Sequence, residues 1–199
     1  MKVTVMTNLT LESTYFDKPG PINTEKALQI AKKYAEQLNL KTIIIASTTG
    51  GTAEKALEIF NVNSYNMIII THAYYFTGSK NRQEFPEDKL NRLKKAGLKV
   101  FTGTHSMSGI ERNVRKALNQ WCFVDLYGKY LREQFSQGIK VCMEISSMAV
   151  DAGLMKSLEE DIIAIGGTGR GADTVCLIKP APTSEFNKLR VKAILAKPL

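Results

Sequence analysis

Four short apolar runs, each ending in small, polar or glycine residues, constrain this chain more than any other feature. Ile43–Ile45 runs into Ser47-Thr48-Thr49-Gly50-Gly51-Thr52. Met67–Ile70 ends in Thr71-His72, and Lys99–Phe101 ends in Thr102-Gly103-Thr104-His105-Ser106. Ile162–Ile165 ends in Gly166-Gly167-Thr168-Gly169-Arg170-Gly171. Unbroken apolar runs of this length are the signature of strands buried on both faces, as in parallel sheets. In open α/β sheets, ligands bind beyond the carboxyl ends of the strands. Both histidines of the chain, His72 and His105, fall at such ends.

The first of these junctions is the most telling. A β-branched run, a tight polar loop and a helix-compatible run from Ala53 read as strand, turn and helix. The loop Ser47–Thr52 supplies hydroxyls and unhindered backbone N–H groups at a helix N-terminus, which favours a phosphate. Gly50 and Gly51 let the backbone approach a ligand closely. An ordinary βα turn with a threonine cap would use the same residues. The loop is not a Walker A motif, because no Gly-Lys-Ser/Thr follows.

The last junction, Gly167 to Ala172, matches the loose pattern G-x-G-x-x-G/A. A dinucleotide fingerprint needs a helix after it, and here Thr174–Ile178 reads as another strand, so that interpretation is rejected. What remains is a ligand-wrapping loop of Gly167, Thr168, Gly169 and Arg170, in which the arginine can bind phosphate through charge-assisted bonds. The alternative is a glycine-rich hairpin whose Arg170–Asp173 pair is a surface contact. His72 and His105 can donate to a ligand or exchange protons near neutrality, or simply bond the backbone. Ser106, at the start of the next helical stretch, is a further candidate for a polar ligand group. Glu144, in the otherwise apolar VCMEI stretch, reads as buried and in need of a partner, and the sequence names none.

Helical periodicity runs from Asn23 or Thr24 to Leu38, with Asn39 as a left-handed stop, and again over Ala53–Phe60. Pro86 to Gly97 brackets a third helix. Three more follow: one capped by Ser108 and carrying Ile110, Val114 and Leu118, one over Trp121–Phe135, and one from Val141 to Gly153. Besides the four runs above, Ser13–Phe16, Thr174–Ile178 and Val191–Leu195 read as strands. Residues 1–11 alternate (Val3, Val5, Leu9, Leu11) and suit an added edge strand. The last strands lack an intervening helix, which predicts an antiparallel portion. The fold class is therefore α/β.

At 199 residues the chain makes one domain. No run is long enough to span a bilayer, and no signal peptide is evident. The expected compartment is cytoplasmic. Three separated cysteines, Cys122, Cys142 and Cys176, argue against a disulfide framework or metal site and read as buried free thiols. A net charge of +8 suggests an anionic partner or simply a lysine-rich surface, and the lack of a dense basic, aromatic-interleaved block argues against nucleic acid. A homo-oligomer is compatible with the sequence.

In this order the motifs resemble the stand-alone proteins related to the C-terminal α/β domain of pyruvate kinase. The matching stretches are FDKPGPINTEKAL from Phe16, IIIASTTGGTAEKAL from Ile43, THSMSGIERNVRKAL from Thr104, KVCMEISSMAVDAG from Lys140 and IIAIGGTGRGADTVCLIKPA from Ile162. The resemblance implies a three-layer α/β/α sandwich around a mixed, mostly parallel five-stranded sheet. It also implies a phosphate role for Ser47–Thr52, since the analogous loop of pyruvate kinase holds a phosphate of its allosteric sugar bisphosphate. The stand-alone relatives bind flavin mononucleotide (FMN), so FMN is the expected cofactor, with a flavin-dependent oxidoreductase as one outcome. A regulatory module holding a phosphorylated metabolite is the alternative. The pyruvate kinase catalytic domain is absent, so kinase activity is not implied. Residues 1–12 depart from the family pattern. The sequence itself leaves open whether the chain catalyses a reaction.

Overall fold

The computed structural model describes residues 8–199. Seven strands form one sheet: β1 (Thr14–Phe16), β2 (Thr42–Ala46), β3 (Asn66–Thr71), β4 (Lys99–Thr102), β5 (Ile162–Gly166), β6 (Thr174–Lys179) and β7 (Arg190–Pro198). Their order is β1-β7-β6-β5-β2-β3-β4. Only β6 runs against the rest, pairing antiparallel with β5 and β7. The other four pairings are parallel. The implied five-stranded sheet is thus corrected to seven. The residues themselves read as seven strands; the lower number came from the resemblance. The C-terminal β7 folds back beside β6 and carries β1 outside it.

Side chains alternate across each strand, so the isoleucine runs feed two cores. Ile43, Ile45, Met67, Ile69, Ile163 and Ile165 pack with α1 (Thr24–Gln37), α2 (Gly51–Ile59) and α3 (Glu87–Lys95). Ile44, Ile68, Ile70, Ile162 and Ala164 pack with α5 (Phe123–Gln134) and α6 (Gln137–Asp151) on the opposite face. Helices therefore cover both faces. The chain steps outward from β2 to β4 through α2 and α3, then returns over the other face through α4 (Gly109–Leu118), α5 and α6 to β5. The reversal leaves a crevice beyond the carboxyl ends of β2 and β5.

Local stops behave as the residues dictate. Asn39, Gly97 and Gly153 take positive φ just past α1, α3 and α6. The apolar residues of α4 stay outside the core: Ile110 and Leu118 are 83% and 64% exposed. α4 is held off the sheet by polar contacts instead, with Glu111 accepting the Asp125 N–H at 2.7 Å and Arg115 bonding the Asp125 carboxylate. Cys142 and Cys176 are buried, but Cys122 is only half-buried. In the proposed N-terminal edge strand, Val3 and Val5 lie outside the described residues, and Leu9 and Leu11 have no regular structure.

The turn Asp17–Pro21 braces the loop after β5. The Gly20 N–H donates to Asp173 Oδ2 at 2.8 Å, and the Ala172 N–H donates to Thr24 Oγ1 at 3.1 Å. A Cβ on Gly171 would stand 2.3 Å from Pro21 Cα. Neither backbone can give way cheaply. Gly171→Ala is expected to destabilise the protein by about 1–3 kcal/mol, as overpacking does, measured by urea denaturation; an unchanged midpoint would show that the brace yields freely.

Candidate functional site

A cleft of about 620 Å³ opens at these carboxyl ends. That size suits a cofactor or drug-sized ligand. Four loops and three helices build it. Ser47, Thr48 and Thr52 come from the β2–α2 junction, His72 and Glu84 from the segment after β3, and His105 and Ser108 from the segment after β4. Gly167, Thr168, Gly169 and Arg170 come from the loop after β5. The helices α4, α5 and α6 add Arg112, Arg115, Asp125, Arg132, Gln137, Lys140 and Glu144.

Of the residues expected from sequence, nine line this cleft: Ser47, Thr48, Thr52, His72, His105, Gly167, Thr168, Gly169 and Arg170. Four do not. Thr49 and Gly51 lie in the loop but off the lining, and a Cβ on Gly51 would meet no protein atom. Gly50 has a structural role: its φ is +86, and a Cβ there would crowd Phe85 and Lys89 at 3.1–3.3 Å. Ser106 lines an adjoining, more open hollow beside α4, which shares His105 and Ser108 with the cleft. Its hydroxyl lies 3.5 Å from the Glu144 carbonyl.

The β2–α2 junction leaves backbone donors open. Ser47 Oγ accepts the Ala53 N–H at 3.3 Å, and the Glu54 N–H reaches the Gly50 carbonyl at 2.9 Å. Among the described residues, the N–H groups of Thr48, Thr49, Gly50, Gly51 and Thr52 donate to no protein acceptor. A helix start with this many unclaimed donors attracts negative charge.

Beside it sit the two histidines, rings 5.0 Å apart, with Phe76 stacked on both at 4.0 and 5.1 Å. Arg112 covers the Phe76 ring at 4.1 Å. Each histidine is oriented by a carboxylate. His72 Nδ1 is 2.7 Å from Glu84 Oε2, and His105 Nδ1 is 3.4 Å from Glu144 Oε2. His72 Nε2 meets Thr48 Oγ1 at 3.5 Å. Burial lowers the His72 pKa and outweighs the Glu84 contact, which raises it. His72 is therefore a neutral imidazole at pH 7. Burial works to raise the Glu84 pKa, but His72 and then Arg170 hold it below the ordinary value. Glu84→Gln removes the influence that supports protonated His72. Its imidazole should then titrate at still lower pH than in the unsubstituted protein, followed by NMR; an unmoved titration would mean Glu84 does not control it.

Arg170 donates to Glu84 at 3.2 Å, closing a chain from the β5 loop to His72. The surface Arg170–Asp173 pair considered above is not formed: the buried Asp173 accepts from Gly20 N–H and Thr174 Oγ1 instead. Arg170 holds φ +66, a left-handed conformation rare for a side chain of its size.

Sequence reasoning missed Phe76, Glu84, Arg112, Arg115, Asp125, Arg132 and Lys140. Lys140 was the most legible of these. It stands one turn before Glu144 in a helix otherwise apolar, and its Nζ lies 2.6 Å from Glu144 Oε2 with both side chains buried. The missing partner of Glu144 was four residues away. The Met107 N–H adds a third contact to that carboxylate, at 2.9 Å. Burial works to raise the Glu144 pKa, yet His105 and Lys140 hold it down to about 2. Burial lowers the Lys140 pKa against the pull of Glu144.

Fold and site together define an α/β protein with a polar, cation-rich cleft at the switch point of a mixed sheet. No protein-family model matches the chain. Among the described residues no helix is long and apolar enough to cross a membrane.

Proposed function

We propose that this protein binds FMN, or a closely similar phosphate-bearing ligand, in the crevice, as a relative of the C-terminal domain of pyruvate kinase with two added strands. The observation that carries the phosphate assignment is the run of unclaimed N–H groups from Thr48 to Thr52 beside a cation-rich cleft. Ser47, Thr48 and Thr52 would hold the phosphate, and Arg170 would reach it from the opposite loop. The apolar face needed by a flavin ring is offered by Phe76 with His72 and His105. Bound flavin would supply hydride or electron transfer. The chain's own part is to hold the phosphate, flank the ring and present His72 and His105 as proton-handling groups. The expected setting is cytoplasmic, with a small-molecule partner rather than nucleic acid or membrane.

The test is the spectrum of the purified protein and its titration with FMN. A yellow protein, or saturable quenching of flavin fluorescence, supports the reading. Arg170→Gly sharpens it, because glycine accepts the left-handed backbone while losing the guanidinium. FMN affinity should fall by about 1.5–3 kcal/mol, the range for a charged hydrogen bond. Unchanged affinity would remove Arg170 from the site. The alternative, a regulatory module holding a phosphorylated metabolite, draws on the same donors. A colourless protein stabilised by sugar phosphates and indifferent to FMN would establish that alternative.

A further inference from the structure

The part of the cleft lined by α4, α5, α6 and the segment after β4 contains polar atoms that the phosphate loop does not use. Ser108 Oγ, Asp125 Oδ1 and His105 Nε2 are buried and meet no hydrogen-bonding partner among the described residues. Ser108 is 8% exposed and Asp125 1%. All three residues line the same cleft. A buried polar atom without a partner costs about 1–3 kcal/mol, so three on one wall describe a surface built to be covered by something polar.

The charges around them are unbalanced. Arg115 is taken up by Asp125, and Lys140 by Glu144. Arg112 lies over Phe76 and has no carboxylate within ion-pair distance among the described residues; nor has Arg132. Both line the cleft. Two guanidinium groups are thus left for an anion, next to one hydroxyl able to donate or accept and one carboxylate oxygen able only to accept. The Asp125 oxygen requires a donor from the ligand. An unsubstituted carboxylate or a phosphate dianion has none. A carboxylate carrying a neighbouring hydroxyl has both parts: its anionic oxygens suit Arg112, Arg132 and the Ser108 hydroxyl, and its O–H suits Asp125 Oδ1. Planar carboxylates also match the guanidinium fork.

We propose that this wall is a second subsite, for a small hydroxylated carboxylate bound beside the phosphate-bearing ligand. The proposal extends the ligand reading of the cleft and rests on that cavity, while its residues are separate from the phosphate loop. His105 Nε2 is the third unpartnered atom lining the cleft, and its Nδ1 faces Glu144 Oε2 at 3.4 Å.

Calorimetry with glycerate and propionate tests it. Propionate keeps the carboxylate and lacks both hydroxyls. Glycerate is expected to bind at least about tenfold more tightly, as loss of a ligand hydroxyl leaves Asp125 Oδ1 unpaired. Ser108→Ala should weaken glycerate about three- to tenfold, as one hydrogen bond does. Arg132→Gln, at a half-exposed position the fold tolerates, should weaken both acids. Equal affinities for the two acids, or glycerate binding that survives both substitutions, would overturn the proposal, as would no glycerate binding at tens of millimolar with or without FMN. FMN binding without glycerate binding rejects the subsite alone. Glycerate binding without FMN binding rejects the flavin reading alone.

Discussion

FMN is expected to bind this protein roughly a hundred- to several-thousand-fold more tightly than riboflavin, which differs from it only in lacking the phosphate. The phosphate is addressed from two sides: unclaimed N–H groups from Thr48 to Thr52 at the start of α2, and the Arg170 guanidinium. A helix terminus contributes about 0.3–1 kcal/mol at the surface and up to ~2 when partly buried. Charged hydrogen bonds from the loop N–H groups and from Arg170 add about 1.5–3 kcal/mol apiece, without simple additivity. Arg170 must share itself with Glu84, and its side chain is exposed, so its share sits at the low end. A total of ~3–5 kcal/mol follows, and ~1.4 kcal/mol is tenfold. Fluorescence titration of the apo protein with each flavin reads the ratio. Equal affinities would mean that the ring anchors the ligand on Phe76 and the histidines. Failure of both flavins, with stabilisation by a sugar phosphate, would make the protein a metabolite-binding module.

The parts of this site that were legible in the sequence share one physical property: their role is local. The loop after Ile45, the glycines after Ile165 and the histidines after Ile70 and Phe101 are each fixed by the end of the strand they follow. A parallel sheet gathers strand ends without further instruction. Seven strands were legible for the same reason, since a β-branched run is its own signal. The residues that stayed hidden act across sequence distances that no local pattern encodes. Glu84 reaches His72 only because the irregular segment after β3 folds back through Gln83, whose side chain donates to the His72 carbonyl. Asp125 is buried because Glu111 and Arg115 on α4 hold it. α4 shows a related effect: it carries Ile110, Val114 and Leu118 at helical spacing, but its fixed contacts are polar, made by Glu111 and Arg115 to Asp125. Lys140 is the exception, a local signal overlooked because lysine is so rarely buried.

Breaking the Lys140–Glu144 pair should have the largest effect on stability of any single change at the site. Lys140→Met fits the space and removes the ammonium. It leaves the Glu144 carboxylate buried with only His105 and the Met107 N–H to compensate. Uncovering one partner of a buried pair typically costs about 3–5 kcal/mol. That is a third or more of the ~5–15 kcal/mol that holds a typical domain. The companion change, Glu144→Gln in the Lys140→Met background, removes the stranded charge and keeps the shape. It should restore part of the loss, and that recovery separates a charge effect from a packing effect. The acid side follows from the same carboxylate. Its folded pKa of about 2 lies below the ordinary 4.5. Its contribution is therefore complete above about pH 4.5 and is lost as pH falls towards 2. Without Lys140 the folded pKa rises, and the acid transition of Lys140→Met should begin at higher pH than that of the unsubstituted protein. Urea denaturation at pH 7 and acid titration by circular dichroism measure both effects. A cost under about 1 kcal/mol would show that the pair stabilises little, and a double variant no more stable than Lys140→Met alone would assign the loss to packing rather than to the stranded charge.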